Sequence, residues 1–314
     1  MIIVDEFWMN NLFIRIKMGN KQPLIIEDKS KSSLFSKEKP NIEDVRQGHM
    51  GDCWLVAALA SIAHMRSDII TNMIKDHPEN GTVDVIFQRE LLTGIFRKET
   101  YTIKKSLFKK GDNKILMSDS KDTIWDQMIE KAYSAYLKKG NKPINYNSIY
   151  SGGYEDKYPF KVILGKEAKG MYNSCALNGD IKNLYYKIKS ALNNKIPFWY
   201  SVSNNGNIVK DIDGNNIISN HAFSIMDAYK KGDRYYMILR NPWGDNNSKS
   251  RKRSAYITVD LKEATNAEFN ISNLDFDESK PIQEIDNPMY QNEDLDVVVM
   301  GKREILFVRD IPEN

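Results

Sequence analysis

A cysteine at the first turn of an apolar helix, directly behind a glycine turn, constrains this chain more than any other feature. The stretch Gln47-Gly48-His49-Met50-Gly51-Asp52-Cys53-Trp54 runs straight into Leu55-Val56-Ala57-Ala58-Leu59-Ala60-Ser61-Ile62-Ala63, a run of helix-forming composition. A helix N-terminus carries unpaired N–H groups and partial positive charge. A thiol placed there loses its proton more readily, and the thiolate is the nucleophile. The amide of Gln47 and the N–H of Cys53 are candidates to point at a developing oxyanion. Gly48 and Gly51 allow the tight backbone turn that would bring these groups together. The alternative is a buried structural cysteine, since free cysteine is among the most buried residue types. That alternative leaves the glutamine, the glycines and the acid in front of the helix unexplained.

Two downstream residues supply what a thiol nucleophile needs. His221 lies in Ser219-Asn220-His221-Ala222-Phe223-Ser224-Ile225, whose apolar residues read as the start of a strand. Asn241 lies in Tyr235-Tyr236-Met237-Ile238-Leu239-Arg240-Asn241-Pro242-Trp243-Gly244, a second apolar strand ended by Pro and Gly. The short linker Lys230-Lys231-Gly232-Asp233 makes them neighbouring antiparallel strands. A base and a group to orient it then sit side by side, and Trp243 is placed to roof their hydrogen bond against water. The other histidines fit less well. His49 belongs to the glycine turn, His64 falls late in the Cys53 helix, and His77 precedes Pro78 in a polar loop.

The pattern is α+β. Residues 1–40 read as an N-terminal extension, 41–145 as a mainly helical lobe bearing Cys53, and 146–314 as a mainly β lobe bearing His221 and Asn241. In the first lobe a strand pair is expected over 82–87 and 98–103. A helix follows over 123–138, with Ile124, Met128, Ala132, Ala135 and Tyr136 at helical spacing. In the second lobe a helix at 180–193 precedes strands near 198–203, 222–228, 235–239, 255–259, 296–300 and 304–308. The polar segment 204–220 is either a mobile flap over the site or an ordinary surface hairpin. Asp211-Ile212-Asp213-Gly214-Asn215 within it is a hairpin turn, since its Gly comes too early for a calcium-binding EF-hand loop and no helices flank it.

Composition removes several classes. A net charge of +3 argues against a nucleic-acid binder with a strong basic face. The basic run at 249–253 reads as a solvated loop. Cys53 and Cys175 do not make a disulfide framework, and a working thiol needs a reducing compartment. The first residues carry acids where a signal peptide would be basic, and no apolar run has the length of a membrane span. A cytoplasmic protein is expected, or one exported without a cleaved signal peptide.

The Gln-Gly-x-x-Gly-Asp-Cys-Trp, His-Ala-Phe-Ser-Ile and Arg-Asn-Pro-Trp-Gly segments resemble the three active-site blocks of the calpain family of cysteine proteases, in the family's order. Trp125 with Glu130-Lys131-Ala132-Tyr133, followed by Ser151-Gly152-Gly153, resembles the helix and glycine turn between the Cys and His blocks. The resemblance covers roughly residues 40–244 and implies a papain-like two-lobe fold with the site in the cleft. It implies Cys53 as nucleophile, His221 as general base and acid, Asn241 as the orienting residue and Gln47 in the oxyanion hole. It further implies a backbone contact from a glycine to a protein or peptide substrate, with Gly165 as one choice and Gly152 or Gly153 as the other. Two departures stand out. Asn220 occupies the place before His where calpains usually have Gly, so its side chain would narrow the cleft. After Asp245 the family's tryptophan-rich acidic segment, which helps bind calcium, is replaced by polar and basic residues. A calcium site built there is not expected, which leaves calcium-dependent and calcium-independent readings both open, and no other cofactor is implied. The competing readings are a thiol acyltransferase or deamidase, an isopeptidase, or a catalytically silent binding module. The oligomeric state is not encoded in any recognisable motif.

Overall fold

A computed structural model describes residues 2–4, 25–109, 120, 123–137, 159–165, 169–170, 180–202, 208–244, 254–266, 268–271, 295–300 and 305–309. Strands β1 (Ile2–Val4) and β2 (Ile25–Asp28) come first, followed by a 3-10 turn at Ile42–Asp44. Helices α1 (Cys53–Met65) and α2 (Ser67–Met73) lead into β3 (Ile74–His77), β4 (Thr82–Leu92), β5 (Ile95–Lys104) and β6 (Ser106–Lys109). Next come α3 (Trp125–Tyr136), α4 (Pro159–Leu164), β7 (Lys169–Gly170) and α5 (Ile181–Asn193). The remainder is β8 (Phe198–Val202), β9 (His221–Lys231), β10 (Arg234–Arg240), β11 (Tyr256–Asp260), β12 (Glu268–Ile271), β13 (Leu295–Met300) and β14 (Ile305–Arg309).

Among the described residues the strands form a six-stranded sheet ordered β11-β10-β9-β8-β12-β7, a four-stranded sheet ordered β1-β5-β4-β3, and the pairs β2-β6 and β13-β14. Every pairing is antiparallel except β1 with β5. The protein is mixed α+β. Residues 41–145 are less helical than expected, because β3 to β6 share that stretch with α1, α2 and α3. The β4–β5 hairpin runs well past its anticipated ends. Ladder pairing continues out to Leu92 opposite Ile95, through a register shift near Glu90, and leaves Leu91, Leu92 and Ile95 exposed at the tip.

Helix α1 is the axis of the molecule. Leu55 to Ala63 are buried without interruption, which fits a run that is apolar on every face rather than amphipathic. Its alanines permit close approach, and two serines turn that approach into specific contacts. Ser61 Oγ bonds both the carbonyl and the N–H of Phe198 at 3.0 Å. Ser224 Oγ donates to the Ala57 carbonyl at 2.7 Å. The helix is thereby fixed across β8 and β9, the strand that starts at His221.

Helix α3 has the expected buried residues Ile124, Met128, Ala132, Ala135 and Tyr136, yet its opposite face is buried too. Lys131 is tolerated there because its Nζ donates to the Lys104 carbonyl at 3.0 Å and to Ser106 Oγ at 2.6 Å. One apolar cluster gathers α1, α3 and the β3–β5 strands. A second lies between α5 and the six-stranded sheet. Among the described residues no single helix is long and apolar enough to cross a membrane.

Candidate active site

The loop before α1 is folded against the end of β10 and the segment that follows it. Arg240, buried, donates to the Val45 carbonyl at 2.8 Å, and the Gln47 N–H donates to the Pro242 carbonyl at 2.7 Å. Asn241 and Gly244 close a four-residue turn, with the Gly244 N–H on the Asn241 carbonyl at 3.1 Å. Pro242 sits where a turn favours a preset φ. Gly244 takes φ +75°, and a Cβ there would meet Arg46 Cγ at 3.3 Å. The Gln47 and Asn241 segments are thus stapled together although far apart in sequence.

His221 opens β9, opposite Val202 of β8, and Asn241 follows β10. The strands are joined by a two-residue turn whose first residue, Gly232, has φ +57°, as a type II′ hairpin turn requires. His221 Nε2 lies 2.9 Å from Asn241 Oδ1 in a buried contact. The Trp243 N–H also donates to that oxygen, at 3.0 Å. An oxygen that already accepts an N–H fixes the amide's orientation, so Nε2 must carry the proton it shares with Asn241. Nδ1 is then the basic nitrogen of the neutral ring. Trp243 lies against the ring with centroids 4.8 Å apart, and Phe223 meets it edge-on at 4.9 Å. The expected roof over the His–Asn bond is in place.

Cys53 is the first residue of α1, and its thiol is partly buried. It lies within hydrogen-bonding reach of the Ala222 N–H, next in chain to His221, and of the N–H groups of Trp54 and Cys53 itself. The structure therefore brings Cys53, His221, Asn241 and Trp243 to one place. The electrostatics depart from a resting thiolate facing an imidazolium. Burial pushes the Cys53 thiol up to about 11; the Ala222 N–H pulls against this and the Asp52 carboxyl adds to it. Burial also lowers His221, with the Asn241 bond opposing. Desolvation disfavours the charged form of each group.

Gln47 lies at the site with its amide turned inward. Nε2 donates to the Met50 carbonyl at 2.7 Å and toward Asp52 Oδ1 at 3.3 Å. Asn220 is exposed, with φ +53°. That left-handed backbone is what glycine adopts freely and asparagine tolerates, so the departure keeps the backbone geometry of a glycine position. Gly165 ends α4 at φ +67°, its N–H on the Lys161 carbonyl at 2.9 Å, and a Cβ there would press on Gln88 Cγ at 2.9 Å. It serves as a helix cap seated on β4. Gly152 and Gly153 lie outside the described residues. The described part of the 204–220 segment is an anchored hairpin: Val209 and Ile217 are buried, and the Ile212 N–H donates to the Thr258 carbonyl at 3.0 Å.

Among the described residues no three His, Cys, Asp or Glu side chains converge as a metal site requires. Residues 245–253, beyond the Asn-Pro-Trp-Gly turn, lie outside the described set. Sequence reading missed Asp52 and Glu130 as partners of the site, because nothing in a linear pattern shows that both point inward.

Comparison with known proteins agrees with the geometry. The family model described as calpain family cysteine protease matches residues 21–273. Mouse calpain-8 is 24% identical over 212 residues, covering 64% of this chain and 28% of its own length. The rat calpain-1 catalytic subunit is 27% identical over 229 residues, covering 64% and 27%. Calpain-A of Drosophila melanogaster is 25% identical over 231 residues, covering 64% and 24%. The chain thus spans about a quarter of the length of these curated relatives. With most of its residues matched by the family model, this chain belongs to the calpain family of cysteine proteases.

Proposed function

We propose that the chain is an endopeptidase that hydrolyses peptide bonds of protein substrates through Cys53, His221 and Asn241, with a thioester acyl-enzyme. The observation that carries this reading is the buried 2.9 Å contact of His221 Nε2 with Asn241 Oδ1, formed beside the thiol at the N-terminus of α1. It leaves Nδ1 as the base. The Cys53 proton passes to Nδ1 while Sγ forms a bond to the substrate carbonyl carbon. The C–N bond then breaks and the leaving amine takes the proton from Nδ1. Water attacks the thioester with its proton going to Nδ1, the C–S bond breaks, and the thiol regains its proton. The N–H of Cys53 and the amide of Gln47 stabilise the oxyanion; Gln47 must then redirect one N–H from its resting partners. Two apolar clusters, one around α1 and α3 and one between α5 and the six-stranded sheet, support a papain-like two-lobe arrangement.

The test is labelling of Cys53 by a peptidyl epoxide, read by intact mass with and without calcium, alongside turnover of a protein substrate. Cys53→Ala should abolish both. Asn241→Ala removes one acceptor from two buried donors and should lower kcat/KM by roughly 10- to 100-fold, a loss of about 1–3 kcal/mol. Calcium-independent labelling would support a site that is assembled without the ion. Full turnover by Cys53→Ala would sink the proposal.

A further inference from the structure

Asp52 occupies the N-cap of α1, yet its side chain makes no capping bond. An aspartate there normally uses its carboxylate to accept the first free N–H groups of the helix. Here only the backbone carbonyl serves the helix, accepting from Leu55 at 2.8 Å and Val56 at 3.1 Å. The carboxyl turns inward instead and has no solvent exposure. Oδ1 is the second acceptor of the Gln47 amide, at 3.3 Å. Oδ2 is buried with no N–H or hydroxyl donor. The group that the carboxyl meets is the Glu130 carboxyl, itself buried on α3.

We infer that Asp52 is a positioning residue of this site: hydrogen-bonded to Glu130, its carboxyl holds the Gln47 amide and sets the negative charge that Cys53 faces. The inference rests on the reading of Cys53 as the nucleophile. Two carboxyls can share a hydrogen bond only if one of them keeps a proton, so the pair carries a single negative charge. Burial of Asp52 favours the proton on Asp52, while the bonds with Glu130 and Gln47 pull the other way, so the proton is shared between the two carboxyls. A full charge on Asp52 lies one residue from the sulfur and opposes the thiolate. The same charge on Glu130, one hydrogen bond farther off on α3, opposes it less. Asp52 therefore does two things at once. It aims the oxyanion donor, and by sharing a proton with Glu130 it keeps full negative charge off the N-terminus that the thiolate needs.

The substitutions Asp52→Asn and Glu130→Gln separate these roles. Asp52→Asn keeps an acceptor for Gln47 and donates to Glu130, which moves the charge away from Cys53. Glu130→Gln donates to Asp52 and moves the charge next to Cys53. The measurement is the iodoacetamide alkylation rate of Cys53 against pH, assigned by peptide mapping. The midpoint should shift down for Asp52→Asn and up for Glu130→Gln, each by about half a pH unit or more. Asp52→Ala, if folded, should lower kcat about tenfold with KM little changed, because the Gln47 amide loses its support. Asp52→Asn should stay within about threefold of the parent kcat. Coincident alkylation profiles, or shifts in the same direction, overturn the inference, as does unaltered kcat in folded Asp52→Ala. The alkylation assay needs no substrate. Opposed shifts in a protein without peptidase activity would uphold the strut and reject the peptidase reading instead.

Discussion

Replacing Asp126 by asparagine should make the protein progressively more stable than the parent as pH rises from acid to neutral. Asp126 lies in the first turn of α3 with its carboxyl wholly buried. Ser120 Oγ lies 2.5 Å from both the Asp44 carbonyl oxygen and Asp126 Oδ2. A hydroxyl has one proton to give. The Asp44 carbonyl can only accept, so Ser120 gives its proton there, and the second contact needs a proton on Asp126. Burial acts in the same sense, pushing Asp126 from 3.8 up to about 7 against the bond from the Gln127 N–H. A native pKa raised above the unfolded value means that the folded state holds the proton more tightly. The stabilisation is complete below the unfolded value and is lost as pH climbs through the native one. From 3.8 to about 7 the whole effect is about 3 units, or about 4 kcal/mol. Some 3 kcal/mol of that falls between pH 5 and 8. Asparagine keeps Oδ1 for the Gln127 N–H and offers an N–H to Ser120 Oγ, so it mimics the protonated acid at every pH. Urea unfolding of both proteins across pH 5–8 gives the difference directly. It should grow in favour of the asparagine variant and level off above the native pKa. A difference that stays constant within about 0.5 kcal/mol would mean that Asp126 is ionised in the native state and that the hydrogen-bond accounting around Ser120 is wrong.

Two further outcomes follow from single contacts. Asn220→Gly should leave thermal stability unchanged or slightly raised. Asn220→Val should cost about 1–2 kcal/mol in urea unfolding, because the φ of +53° suits glycine and strains a branched side chain. Ser61→Ala removes the hydroxyl that satisfies both backbone groups of Phe198. It should lower stability by about 1–3 kcal/mol in the same assay, with no compensating gain from the added apolar character.

The candidate-site blocks stand out in the sequence because each is a local pattern with a chemical reason. A thiol at a helix start, a histidine opening a strand and an asparagine in a proline turn each carry a signal within ten residues. Strand positions followed for the same reason: β9 and β10 alternate too little to be anything but buried, and Gly232 marks their turn. What stayed illegible depends on contacts across the fold. The helical spacing of Ile124, Met128, Ala132, Ala135 and Tyr136 marks one buried face, but α3 is buried all round, with Lys131 finding acceptors on β5 and β6. Asp52 read as one more residue of a helix-start pattern, and nothing local shows that its carboxyl would abandon the cap. A helix end tells which groups are available; only the packing of a second helix against it tells which of them are used. That division bears on Cys53 itself. Its place at a helix N-terminus argues for an easily ionised thiol, whereas its burial between α1 and β9 argues for the reverse. The burial wins in the resting protein because desolvation acts on the whole charge, while the helix end and the Ala222 N–H offer only partial ones. Under the proposed peptidase reading, activation comes from transfer of the proton to His221 as substrate engages, and the rate of thiol alkylation by small reagents should understate the reactivity toward a peptide that fills the site.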